Sequence, residues 1–217
     1  MLKVKLYQLK KPITRTLIYE NFKSKKYTDE LGFGFDIVED SDNCLIFQFV
    51  ERIVNLIKIE SVDGDISEIE SVSYMRVKFG IRLNSRNALY VINPPRSMKY
   101  PFEMIRSLFG QEYQLIPVEL NLKSLLEIFS ENYNCIVRSI SLSNIQYDVN
   151  TVAKTKIAST KDLSEFYINN YSETPAILDT LLIIADGIET ELSRTGRLRI
   201  HESNLFSFML MLDHSLS

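Results

Sequence analysis

The stretch Cys44-Leu-Ile-Phe-Gln-Phe-Val-Glu-Arg-Ile-Val-Asn-Leu-Ile-Lys-Ile-Glu60 decides how the chain is read. It is dense in β-branched and aromatic residues and holds neither Gly nor Pro, so extended structure is favoured over helix. It reads as two strands of a meander, 44–49 and 53–59. Asp63-Gly64-Asp65 follows as a tight turn, because Asp and Gly tolerate the backbone angles a hairpin needs. Residues 74–83 then alternate Tyr74, Arg76, Lys78 and Gly80 with Met75, Val77, Phe79 and Ile81, which predicts a strand with one apolar and one basic face. A turn at 84–87 leads into a short apolar strand at 88–92.

Working outward, residues 2–9 alternate as a half-buried first strand. Residues 14–26 predict a short helix with Leu17, Ile18 and Phe22 inward, followed by a turn-rich segment at 31–35. On the other side, Asn93-Pro94-Pro95-Arg96-Ser97 forms a stiff loop with Ser97 as a helix cap, or a rigid display of Arg96. Phe102, Ile105, Leu108 and Phe109 recur at helical spacing, with Gly110 as the stop. A strand at 113–118 precedes a helix capped by Asn121, whose buried stripe is Leu122, Leu125, Leu126 and Phe129. Strands follow at 135–142 and 152–158, then a helix opening at Ser159-Thr160-Lys161-Asp162 with Leu163, Phe166, Tyr167 and Tyr171. A final meander of 177–185, 189–193 and 197–200 turns at Asp186-Gly187 and Thr195-Gly196. The last helix carries Leu205, Phe206, Met209, Leu210 and Leu212. The expected class is α+β, antiparallel meander sheets with several packed helices. Residues 1–217 read as a single domain, with composition marking a weak boundary at 93–97 between a strand-rich lobe (1–92) and a mixed helix/strand lobe (93–217).

The 217 residues, 45% hydrophobic and 24% charged, have the composition of a globular chain that buries a core without staples. No apolar run approaches the roughly 20 residues of a membrane span, and the opening residues lack a secretory h-region. Cys44 and Cys135 each sit in an apolar run, as buried reduced thiols do. A cytoplasmic protein with no membrane contact is expected.

The net charge of −3 hides three blocks. Lys3, Lys5, Lys10, Lys11, Arg15, Lys23, Lys25 and Lys26 dominate the first 26 residues; acids dominate 36–70; Arg76, Lys78, Arg82, Arg86, Arg96, Lys99 and Arg106 dominate 76–106. Such blocks form either a polyanion footprint or mutually neutralising faces of one fold. Arg194-Thr195-Gly196-Arg197-Leu198-Arg199 adds three arginines around a predicted hairpin tip, suited to phosphates or to solvent.

Catalytic patterns are missing. Gly32-Phe33-Gly34 has no lysine in register for a phosphate cradle. Two cysteines and two histidines do not make a structural zinc site. No lysine stands two residues after an Asp or Glu, as one large class of Mg²⁺ nucleases requires. Glu189 and Glu191 share a strand face that suits a metal or, more simply, solvent. His201 and His214 read as solvated or hydrogen-bonded side chains. No catalytic residue, metal ligand or cofactor is assigned.

From residue 88 onward the order of elements resembles the recombination-associated protein RdgC family. The residues that carry it are Ala88-Leu89-Tyr90-Val91-Ile92, a helix ending at Leu108-Phe109-Gly110, Leu115-Ile116-Pro117-Val118, a helix over 122–129, Cys135-Ile136-Val137-Arg138 and Val152-Ala153-Lys154-Thr155-Lys156-Ile157. Lys5-Leu6-Tyr7-Gln8-Leu9 resembles that family's first strand. The likeness spans somewhat over half the chain and is a pattern of elements, not a diagnostic motif. It implies a non-enzymatic dimer that binds duplex DNA with little sequence preference, and it carries over no individual residue.

The functional expectation is a non-enzymatic DNA-binding accessory protein of low sequence specificity within a larger nucleic-acid-processing or defence complex. Its expected contacts are Lys10, Lys11, Arg15, Arg76, Lys78, Arg96, Arg194, Arg197 and Arg199. The alternative is a protein-interaction subunit with no direct DNA contact, its partner another protein or a second copy.

Overall fold

The computed structural model describes residues 1–11, 14–41, 44–82, 88–110 and 113–216, which fold as a mixed α+β protein. The turn expected at 84–87 lies outside the described residues. The chain divides into two compact units, one of Met1–Tyr7 with Ile116–Ser217 and one of Gln8–Leu115. The loop 93–97 belongs to the second.

In the second unit, strands β2 (Phe33–Asp40), β3 (Cys44–Glu60), β4 (Ile66–Arg82) and β5 (Ala88–Ile92) lie side by side in that order, all antiparallel. β1 (Leu2–Leu9) precedes them in the chain. Residues 44–60 form one 17-residue strand and not the two expected. The charged pair Glu51-Arg52 contains no turn former, and it stays in the ladder opposite Met75 and Tyr74. β4 likewise begins at Ile66, eight residues before the expected start, because Ser and Glu dilute the apolar signal of 66–73 without breaking the strand. The two pair without a register shift from Cys44↔Arg82 to Glu60↔Ile66. Gly64, at φ 84, closes the turn between them. The segment 31–35 also departs from expectation: the turn ends at Gly32 (φ 70), and Phe33 already opens β2.

Alternation sends Leu45, Phe47, Phe49, Val77, Phe79 and Ile81 to one buried face of this sheet. Helix α1 (Arg15–Ser24) brings Ile18 and Phe22 to the core, and α2 (Lys99–Phe109) brings Ile105 and Phe109. The core is aromatic: the Phe47 ring lies 4.5 Å from Phe22 and stacks at 5.0 Å on Phe79, and Phe22 lies 5.7 Å from Phe109. Thr14 caps α1 by accepting the Leu17 N–H at 3.3 Å, and Gly110 (φ 95) ends α2. Ser97 is not the cap of α2; Met98 holds that position without a side-chain bond, so the Pro-Pro loop itself turns the chain.

β6 (Leu115–Pro117) carries the chain between the units and is shorter than the expected 113–118. In the first unit, β7 (Cys135–Gln146), β8 (Val152–Ala158), β9 (Ile177–Ala185), β10 (Ile188–Ser193) and β11 (Arg197–Ile200) join β1 in the order β1-β11-β10-β9-β7-β8. Every one of these pairs is antiparallel. Helices α3 (Leu122–Asn132) and α5 (Leu205–Leu216) meet through Phe129 and Phe208, ring centroids 5.7 Å apart and both fully buried. Val4, Val137, Ile140, Leu181, Ile183, Leu198 and Ile200 are buried with them. Asn121 caps α3 as expected, its side-chain oxygen accepting the Ser124 N–H at 3.2 Å. α4 (Ser164–Tyr171) starts later than the expected 159–162, because Asp162 accepts both the Val137 N–H at 2.7 Å and the Ser164 N–H at 3.2 Å. That carboxylate fastens the loop to β7 before the helix can begin. Asp186 (φ 47) and Gly187 (φ 81) make the β9–β10 turn. Among the described residues no helix is long and apolar enough to cross a membrane.

Candidate interaction surfaces

The β3–β4 hairpin outgrows its sheet. β2 pairs with β3 only as far as Phe33↔Glu51, and β5 pairs with β4 only as far as Lys78↔Ile92. Beyond those points the two strands run on as a ribbon, and every residue of β3 from Ile53 to Glu60 is exposed. Such a two-stranded arm is marginal in water on its own, and its open edges offer unpaired backbone groups to a partner.

The unbroken register sorts the arm's side chains. Odd-numbered residues continue the face that holds Phe47, Phe49, Val77 and Phe79 in the core: Ile53 opposite Ser73, Asn55 opposite Ser71, Ile57 opposite Ile69, and Ile59 opposite Ser67. None of these eight is charged. The even face mixes Val54, Leu56, Val72 and Ile66 with Lys58, Glu60, Glu68 and Glu70, and Lys58 pairs with Glu68 at 3.4 Å. Large apolar residues are exposed along both faces, with Leu56 at 65%, Ile57 at 48% and Ile69 at 51%. From 53 to 73 one cation, Lys58, stands against five acids, Glu60, Asp63, Asp65, Glu68 and Glu70, a sum of 1 − 5 = −4.

The first unit carries a cationic surface of its own. β1 pairs with β11 so that Lys3 lies opposite Arg199 and Lys5 opposite Arg197. Their neighbours Val4, Leu198 and Ile200 point into the core, which turns the four cations outward together. Arg199 reaches Glu191 on β10 at 3.9 Å. The Lys5 ammonium donates to the Thr195 carbonyl and lies 5.8 Å from the Tyr7 ring centre. Partial burial, and secondly the charge of Arg197, hold Lys5 below the ordinary lysine range, with Glu119 opposing.

The expected DNA contacts distribute as follows. Arg197 and Arg199 belong to this cluster, whereas Arg194 is drawn aside to Asp179 at 3.4 Å, a carboxylate it shares with Lys154. In the second unit Arg76 and Lys78 share the even face of β4, with Arg76 over the Tyr74 ring at 5.3 Å. Arg15 is held by Asp40 at 3.2 Å and by the Ser41 carbonyl. Lys10, Lys11 and Arg96 are exposed, the backbone of Lys10 bonded to Gln114 at 3.1 Å. Lys3 and Lys5 were absent from the expected set. They come from the opening strand and meet arginines nearly two hundred residues away, so the signals in the sequence were the basic opening block and their alternation with Val4 and Leu6.

Both cysteines are free thiols, Cys44 buried and Cys135 half-buried. The Cys44 sulfur lies 3.3 Å from the Tyr90 hydroxyl. Burial, reinforced by Asp162 and Asp186, pushes the Cys135 thiol up to about 11, and burial raises Cys44 as well. The thiolate is the reacting form, so at pH 8 native protein is expected to label with a disulfide reagent roughly a hundredfold more slowly than the denatured chain. Labelling of native Cys135 at the denatured rate would contradict this placement.

Among the described residues no group of three His, Cys, Asp or Glu side chains is placed to hold a metal ion. No family model matches the chain, and no curated protein matches it significantly.

Proposed function

We propose that the chain is a non-enzymatic assembly subunit that docks on protein through the β3–β4 arm. The observation that carries this is a long hairpin that leaves its sheet with large apolar side chains exposed along its length. Covering that surface recovers hydrophobic free energy that the free chain forgoes, about 25 cal/mol per Å². The arm's sum of −4 argues against a ribbon laid along phosphates. The test is a shortened chain in which a two-residue turn joins Ile53 to Ser73, a register pair. Expressed in its own cell, the intact chain should migrate in a species larger than its 25.2 kDa, and the shortened chain as a monomer of unchanged fold. An intact chain that migrates as a monomer contradicts the reading.

A second reading is favoured by the Lys3, Lys5, Arg197 and Arg199 cluster: weak duplex-DNA binding without sequence preference, as the resemblance of the sequence to the RdgC family would imply. Each phosphate contact releases counterions, so log K should fall with log salt by about 0.9 per contact. The pair Lys3→Glu and Arg197→Glu should weaken all sequences alike and flatten that slope by about two contacts' worth. Unchanged binding in the double variant would remove this reading.

A further inference from the structure

We infer that duplex DNA lies on the outer face of the first unit's sheet, its phosphates held along a row that crosses six strands: Lys5, Arg197, Ser193, Thr180, Ser141 and Lys156. This rests on the DNA reading above and extends its contacts from β1 and β11 across to β8. Strand pairing fixes the row. Lys5 lies opposite Arg197, Ser193 opposite Thr180, Thr180 opposite Ser141, and Ser141 opposite Lys156. The Arg197 N–H closes the remaining step by donating to the Ser193 hydroxyl at 3.1 Å.

The face is the one that α3 and α5 leave open. Val4, Leu198, Leu192, Leu181 and Ile140 each adjoin a member of the row along its strand, and all are buried on the opposite side with Phe129 and Phe208. Long cationic side chains therefore stand at both ends of the row and three short hydroxyl side chains between them, with no acid and no aromatic ring in it. Arg197 and Lys156 are exposed and four strand spacings apart, about 19 Å. That is wider than the ~12 Å major groove, so the two ends reach phosphates on either side of a groove. Lysine, arginine, serine and threonine are the side chains that hold phosphate oxygens. A face with no ring to stack on grips backbone and not bases, and in a duplex the backbone is what faces outward.

The acids beside the row decide which cations count. Asp179 holds both Arg194, at 3.4 Å, and Lys154, at 3.8 Å, so those two are not contacts. Glu191 lies 3.9 Å from Arg199, close to the limit of an ion pair, and Glu119 stands near Lys5. With Lys3 and Arg199 from the adjacent pair, five cations face the duplex: Lys3, Lys5, Arg197, Arg199 and Lys156. Five contacts give a log–log salt slope of about −4.5.

Titration of the purified full chain into a labelled short duplex of mixed sequence, and into one of its separated strands, from low to physiological salt, tests this. The duplex should bind more tightly than the single strand, with a slope of about −4.5. Lys156→Glu should weaken duplex binding about tenfold and flatten the slope by about one contact's worth, and Ser141→Asp with Thr180→Asp should weaken it at least as much. Lys123→Glu, the same change of charge on α3, should change it less than about twofold. Lys156 is an exposed side chain of the edge strand β8, so its reversal leaves the fold intact, and the thermal midpoint checks this for every variant. If Lys3→Glu with Arg197→Glu weakens binding while Lys156→Glu and the Ser141/Thr180 pair do not, DNA stays at β1 and β11 and only this inference falls. Tighter binding of the single strand, or Lys123→Glu as damaging as Lys156→Glu, overturns it too. No binding by the wild-type chain at low salt removes the DNA reading along with it.

Discussion

Phe47→Ala should destabilise the second unit by about 4 kcal/mol, the cost of deleting a buried phenyl ring and leaving its cavity. Phe47 is fully buried and sits between Phe22, at 4.5 Å, and Phe79, at 5.0 Å. It joins α1 to the sheet, so the space it vacates is bounded by rings that belong to different elements and cannot close in concert. Against a typical domain stability of 5 to 15 kcal/mol the loss is large, and at about 2 to 4 °C per kcal/mol it lowers the unfolding midpoint by roughly 10 °C. Leu56→Ala, nine residues along the same strand but 65% exposed, should shift the midpoint by less than about 2 °C. Equal shifts for the two would mean that the arm is packed in the free chain, and the assignment of its faces would fail.

Gly34→Ala should cost about 3 kcal/mol by collision, the upper end of the range for overpacking. A Cβ at Gly34 would stand 2.3 Å from both the Cα and the N of Tyr27, and 2.6 Å from the Lys26 carbonyl carbon. These are backbone atoms, with no rotamer to swing away. The segment is also fastened, the Phe35 N–H donating to the Lys25 carbonyl at 2.9 Å and Lys26 bridging Phe35. The strand must therefore shift or shed the link that follows α1, and Phe35, which stacks on Phe22 at 5.0 Å, shifts with it. Thermal unfolding reads the loss directly. Wild-type stability in Gly34→Ala would show that the 25–27 segment is not seated on β2.

These two residues also mark what the sequence discloses. Gly34 was legible only as part of a turn, because a glycine inside a strand and one in a loop look alike until the crossing backbone is known. The 3.6-residue rows of α2 and α3 and the turns at Gly64, Gly110 and Gly187 were legible, since each is set by a local rule of side-chain spacing or positive φ. The continuity of β3 through Glu51-Arg52 was not, because charge at one edge of a sheet imitates a break. The neutral row of the arm was invisible for a deeper reason: it exists only when residue 53 is known to face 73 and residue 59 to face 67. The same holds for the cationic cluster, where Lys3 meets Arg199 through a pairing of the first strand with the last. Local chemistry gave the elements, and register gave the surfaces.

The most direct measurement of the central claim is photocrosslinking in the native cell, with a benzophenone residue in place of Ile57 and, in a parallel chain, in place of Arg96 as a control on the exposed loop. A discrete adduct from position 57, absent from position 96 and lost when Ile69→Glu is added, is the predicted result, at twice 25.2 kDa if the partner is a second copy. No adduct from position 57, while the chain is folded and abundant, would contradict the account of the arm as a docking element.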